Sequence, residues 1–170
     1  MGYRAEYLLR LLKAAAPTFF AFFGVLLMAA PLRLFEGVAP TPIIPLFFVF
    51  YWSIYAPNYL PAPSVFAVGL LQDFLTGGPL GLWAAVYLAA QFVVMSQRSY
   101  FAGRDRSVVW MGFLMAALGV ALLFWLTMSL MAGRLLPLGG LAYQLAATVI
   151  LYPVFDLFFG RLHRRVLVEA

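Results

Sequence analysis

The chain has 170 residues, 65% of them hydrophobic and 10% charged, with a net charge of +5 and a mean hydropathy of +0.97. Soluble domains carry about 25% charged residues, so a water-facing surface could not be built here. Unbroken apolar runs such as 118–126 exclude a membrane barrel, whose strands alternate over about ten positions, and leave an all-α integral membrane protein. The basic residues cluster at the ends of apolar runs, which is topology information and not a nucleic-acid surface. The absence of cysteine removes disulfides, thiol catalysis and thiolate metal sites.

Six spans in one domain covering 1–170 are predicted, at about 18–35, 43–59, 64–77, 80–96, 108–132 and 138–159. Ahead of the first, residues 3–13 (YRAEYLLRLLK) place Tyr7, Leu8, Leu11 and Leu12 on one side of a helix. That segment is either an interfacial helix or an extension of the first span. Apolar residues run on from Pro17 with no small-x-small processing site, so a cleavable signal is not expected. Pro17, Pro40, Pro42, Pro57, Pro61, Pro63, Pro79 and Pro137 fall near span borders, where proline disturbs helical hydrogen bonding least.

Arg4, Arg10, Lys13, Arg98, Arg104, Arg106, Arg161, Arg164 and Arg165 fall on one side of this arrangement, and Arg33 and Arg134 on the other. The nine-to-two asymmetry places both termini in the cytoplasm. Because basic segments precede span one and follow span four, spans three and four either both cross or both fail to. The third is the weak one: 14 residues make a helix of about 21 Å, against a hydrocarbon core of about 30 Å. It must borrow length from Gly78-Pro79-Leu80 or end within the bilayer. Non-helical backbone at such depth needs shielding from lipid, so Gly77-Gly78-Pro79-Leu80-Gly81 should pack inside the bundle or at a partner interface.

Asp73 is the one carboxylate in the run 65–94, and inserting it costs roughly 2.5–3.5 kcal/mol. It is either a functional acid or a structural one that accepts hydrogen bonds from amides near 77–80, with Thr76 the nearest side-chain donor. In the structural role Asp73→Asn would be tolerated and Asp73→Leu would not. Gln72 and Gln91 read as interhelical amide glue. Asp156, between one and two turns before Arg161, reads as half of an interfacial ion pair, and His163 as a headgroup-facing residue. Trp52, Trp83, Trp110 and Trp125 suit interface anchoring or bundle packing. Gly112/Ala116, Ala117/Ala121 and Ala142/Ala146 have the small-xxx-small spacing that permits close helix approach.

Catalysis is not expected. There is no histidine within a span, no metal-ligand cluster, and the two acids within spans, Asp73 and Asp156, fall at different depths. No cofactor is expected either. A transporter or small-molecule-binding subunit would use a broken segment and a buried acid, but matched broken helices in the two halves are absent. A scaffold for other transmembrane helices needs only apolar, aromatic and small-residue surfaces, which composition favours.

Tyr51-Trp52 in the second span is followed by Gly69, Asp73, Gly77 and Gly81 in a G-x-x-x-D-x-x-x-G-x-x-x-G block that contains Gly78 and Pro79. With Tyr152-Pro153-Val154-Phe155 and the basic tail, this pattern resembles the rod shape-determining protein MreD family; the specific part is 51–81. Thr41-Pro42-Ile43-Ile44-Pro45 departs from the Arg/Lys-Pro common before the family's second span. The resemblance implies a subunit of the bacterial elongation machinery in the cytoplasmic (inner) membrane, with MreC as its closest partner. RodA with its class B penicillin-binding transpeptidase, and MreB, would be further neighbours. It also implies similarity in fold to the substrate-binding subunits of energy-coupling-factor transporters, and makes Tyr51, Trp52, Gly69, Asp73, Gly77, Gly78, Pro79 and Gly81 the structural or partner-facing residues.

Overall fold

The computed structural model describes residues 2–29 and 41–163, with side chains for 15–29 and 41–160. Among them there is no strand. The helices are α1 (Gly2–Ala29), α2 (Ile44–Tyr55), α3 (Ala62–Thr76), α4 (Leu82–Ser96), the short α5 (Arg98–Phe101), α6 (Arg106–Ala132) and α7 (Gly139–His163), with a 3-10 turn at Pro57–Tyr59. Two helical stretches, Arg106–Ala132 and Gly139–Gly160, are long and apolar enough by length and composition to cross a membrane. The apolar helices Ala15–Ala29, Ile44–Tyr55, Ala62–Thr76 and Leu82–Ser96 are shorter. Arg33, Gly37, Pro40 and the tail basics Arg164 and Arg165 lie outside the described residues.

Each predicted segment carries a helix, but several ends move. The backbone of α1 is continuous from Gly2, so 3–13 extends the helix and Pro17 lies inside it, not at its border. A proline inside a helix removes one hydrogen bond, which the long flanking apolar stretch tolerates. The second segment stops being helical at Tyr55, because Pro57 cannot supply the next amide and the chain tightens into the 3-10 turn.

The 12-residue α2 is the centre of the structure. Every residue from Pro45 to Ile54 is buried, as an all-round apolar helix requires. Phe47 and Phe50 meet Phe113 of α6 and Tyr152 of α7, and the Phe113 and Tyr152 rings stack at 4.0 Å. Phe48 packs on Phe20 of α1 and on Phe155 and Phe159 of α7. Polar contacts tie the start of α2 to α7: the Ile43 amide donates to the Thr148 hydroxyl at 2.9 Å, and Gln144 Nε2 donates to the Thr41 carbonyl at 2.9 Å. The segment 41–45 is thus held by α7, which gives its polar backbone groups partners that a helix start would otherwise lack.

These pairings also fix directions. Early α2 meets early α7 and late α2 meets late α7, so the two run parallel. Phe113 beside Phe47, and Trp110 Nε1 donating to the Val149 carbonyl at 3.1 Å, make α6 antiparallel to both. Gly24 facing Ile44 and Phe48, with Phe20 on Phe159, makes α1 antiparallel to α2. Gln91 Nε2 donates to the Leu60 carbonyl at 2.8 Å, which sets the end of α4 beside the start of α3. The six longer helices therefore alternate in direction. The 97–106 connection, with Arg98, Arg104 and Arg106, lies at one end; the α3–α4 turn and the α6–α7 connection with Arg134 lie at the other.

The outward surface stays apolar. On α6, Met111, Met115, Leu118, Leu122, Leu126 and Leu130 are all exposed, and on α7 so are Ile150, Val154 and Phe158. Apolar patches of this extent mark a lipid- or protein-facing surface.

Candidate functional site

The turn from α3 to α4 begins where Gly77 takes a left-handed conformation (φ +67°) and ends where Gly81 does the same (φ +90°). Residues with a Cβ adopt this region at a cost, and glycine does not. The Leu82 amide donates to the Pro79 carbonyl at 3.2 Å, closing the turn. Gly81 is the residue before the first turn of α4, where a side-chain oxygen ordinarily caps the free amides. Glycine has none to offer. The cap comes from α3 instead.

Asp73 Oδ2 accepts the Gly81 amide at 2.8 Å and Oδ1 accepts the Trp83 amide at 3.0 Å. The carboxylate is 1% exposed. It lies in the last turn of its own helix, where the helix dipole disfavours an acid, but at the start of α4, where the dipole and the free amides favour one. Both oxygens are consumed by backbone, and the two helices are clasped through them. The amides taken are those of Gly81 and Trp83, beyond the 77–80 stretch expected from sequence. Thr76 is also corrected: its hydroxyl donates to the Gln72 carbonyl at 2.8 Å, the back-bond to its own helix that threonine commonly makes.

One turn earlier on the same face, Gly69 permits the approach. A Cβ there would stand 2.3 Å from Ala84 Cα and 2.5 Å from Ala84 N, so the backbones of α3 and α4 touch. The four-residue spacing of Gly69 and Asp73 puts both on the α4-facing side. Further along the interface, the Tyr87 hydroxyl donates to Gln72 Oε1 at 2.6 Å, while Gln72 Nε2 is buried with no partner among the described residues. Gln72 and Gln91 thus both bond between elements. The Trp83 ring stacks on Phe124 at 4.6 Å, so the clasped amide belongs to a residue that also anchors α4 on α6.

The remaining candidates divide. Gly77, Gly78 and Leu80 are exposed and Pro79 is partly buried, so the turn is not packed inside the bundle. The clasp supports this: with the Gly81 and Trp83 amides on Asp73 and the Leu82 amide on the Pro79 carbonyl, the turn projects from a bonded base. It shares a cavity wall with Thr127 and Met131, at the level of the last turns of α6, which places the turn near the end of the bundle and not at mid-depth. Tyr51 and Trp52 are buried in α2, with the Tyr51 ring against Tyr55, Phe155 and Phe159. Tyr51 forms part of the α2–α7 seam, and Trp52 packs edge-on to it at 5.5 Å. Gly78 has neither a left-handed φ nor a close neighbour. Gly78→Ala should therefore leave thermal stability in detergent unchanged, whereas Gly77→Ala should lose about 1 kcal/mol from strain.

Asp156 pairs with Arg106 across the α6–α7 interface at 3.9 Å. The sequence neighbour Arg161 has no described side chain, and the partner found is 50 residues away on the antiparallel helix. Gly112 receives the Phe101 ring of α5, not another helix backbone: a Cβ there would lie 2.4 Å from the ring. Sequence reasoning missed Ala84 and Tyr87 and gave Trp83 only a packing role. A small residue at 84, in the first turn of α4, was the available signal, but its register against Gly69 is set by the fold.

No family model, curated protein or solved structure matches this chain.

Proposed function

We propose that this chain is a non-catalytic scaffold subunit of the bacterial elongation machinery, of the MreD type, which binds MreC and helps organise lateral peptidoglycan synthesis and rod shape. The observation that carries the reading is the use of Asp73. The one acid of the 65–94 run spends both oxygens on the backbone of α4, fixing the projecting Gly77-Gly78-Pro79-Leu80 turn. An acid that is 1% exposed and bonded through both oxygens to the backbone of the next helix acts as a positioning device. Asp156 is remote from it. Trp83 beside the clasp stacks on Phe124, and Asp156 pairs with Arg106, eighteen positions earlier on α6, or about 27 Å along the helix. Such a separation disfavours an acid pair.

The alternation of the six longer helices supports a six-span bundle of the kind shared with energy-coupling-factor substrate-binding subunits. The arginines of the 97–106 connection support an inner-membrane orientation with that connection and both termini cytoplasmic. The projecting turn then faces the periplasm, where an MreC-like partner carries its extracytoplasmic domain.

Affinity purification from native bacterial membranes is the test. Recovery of an MreC-like bitopic protein is the expected result; recovery of an ATPase-bearing module with a bound vitamin would replace this reading with a transporter subunit. Reporter fusions should read cytoplasmic at Gly103 and periplasmic at Gly133 and near Gly37. A periplasmic signal at Gly103 would overturn the orientation.

A further inference from the structure

Between α4 and α6 the surface opens into a groove enclosing about 350 Å³. Ala89 and Val93 form one wall, Gly112, Ala116 and Gly119 the other, and the interior is almost wholly hydrocarbon. Val93 and Met115 on its rim are 57% and 69% exposed, so the groove faces outward, toward lipid in a membrane. Its depth comes from missing side chains: a Cβ on Gly119 would meet nothing within 4 Å.

The end nearest the 97–106 connection differs. There α5 crosses, and Phe101 closes the groove against Gly112. The Tyr100 ring packs edge-on to Phe101 at 5.3 Å, and the Arg104 guanidinium stands 5.3 Å from the Tyr100 centroid. Gln97 also lines the groove at this end. The short connection carries three arginines against the single acid Asp105. Arg106 faces Asp156, and Arg98 turns its Nε inward to the Ile54 carbonyl at 3.0 Å. Arg104, over the Tyr100 ring that packs on the groove-lining Phe101, is the cation of this connection with no carboxylate or carbonyl partner among the described residues.

A hydrocarbon slot with the Gln97 amide at one end, and the basic 97–106 connection at that same end, matches an amphiphile with an apolar tail and an anionic head. We infer that the α4–α6 groove binds one acyl chain of an anionic phospholipid from the leaflet at the basic end, with the phosphate at Gln97 and Arg104. A partner's transmembrane helix, which would have to run past the end that α5 and Phe101 close, fits less well than an acyl chain, which stops there with its head at the rim. The inference rests on the membrane placement proposed above and is independent of which protein the scaffold binds.

The test is native mass spectrometry of the full chain released from nanodiscs containing phosphatidylglycerol and phosphatidylcholine. The wild type should retain one phosphatidylglycerol in preference to phosphatidylcholine. Gly119→Leu fills open space on a helix and should abolish retention while leaving the melting temperature intact. Arg104→Gln should cut the preference for phosphatidylglycerol over phosphatidylcholine about fivefold, the effect of one arginine at an anionic surface. Equal retention of the two lipids by the wild type, undiminished retention by Gly119→Leu, or an Arg104→Gln preference like the wild type's would each overturn the site. So would a photo-crosslinker at Met115 that captures a protein helix in place of lipid. A chain extractable from membranes without detergent would sink the membrane placement itself; a detergent-requiring chain with no lipid preference would sink only the groove.

Discussion

Asp73→Leu will unclasp α3 from α4, lowering stability by about 2–4 kcal/mol, because the amides of Gly81 and Trp83 lose their acceptors at the base of the turn. Leucine fills a similar space, so the loss reports hydrogen bonding and not a cavity. Asp73→Asn separates the roles further. Asparagine has one acceptor oxygen where the carboxylate uses two, and its NH2 would face a backbone N–H, donor against donor. Asparagine should therefore fall between wild type and leucine, at about 1–3 kcal/mol, which revises the tolerance expected from shape alone. Denaturant unfolding in detergent measures the ordering. Under the scaffold reading, recovery of an MreC-like partner should fall in the same order while membrane abundance holds for Asn. Wild-type stability and partner recovery of Asp73→Leu would remove the clasp as the organiser of this site.

Gly69→Ala is the second large effect. A single methyl at this position would stand 2.3 Å from Ala84 Cα and 2.8 Å from the Trp83 carbonyl carbon, both backbone atoms that cannot rotate away. The helices must separate, and overpacking of this kind costs about 1–3 kcal/mol or more. Because separation also stretches the Asp73 bonds to Gly81 and Trp83, the two lesions share one mechanism. The double variant Gly69→Ala/Asp73→Leu should lose less than the two single losses added together, with a coupling of about 0.5–3 kcal/mol. Strict additivity in unfolding measurements would separate the glycine contact from the carboxylate clasp.

Gly69 and Asp73 are legible as a pair in the sequence, since residues four apart share a helix face. Gly77 and Gly81 were legible as breaks around a proline. What they do to each other was not legible. The Trp83 amide lies ten residues beyond Asp73, across a turn of two left-handed glycines, and no helical periodicity relates the two positions. The same holds for the Asp156–Arg106 pair, fifty residues apart, which forms only because α6 runs antiparallel to α7. The Gly112/Ala116 spacing called for close packing, and the structure supplies it from the Phe101 ring.

The sequence by itself determined the helical class, the approximate helix limits and the surplus of apolar surface, because each depends on local composition, on proline's missing amide and on glycine's missing Cβ. It also determined that an acid inserted at 73 needs partners, since desolvating a carboxylate is costly wherever it sits. Tertiary structure alone decided which partners. Two rigid helices can meet in many registers, and the one adopted is set by packing summed over all their neighbours: α2 at the centre, Gly69 on Ala84, Trp83 on Phe124. Only in that register do both Asp73 oxygens reach the free amides of α4, leaving the Gly77-Gly78-Pro79-Leu80 turn projecting and held.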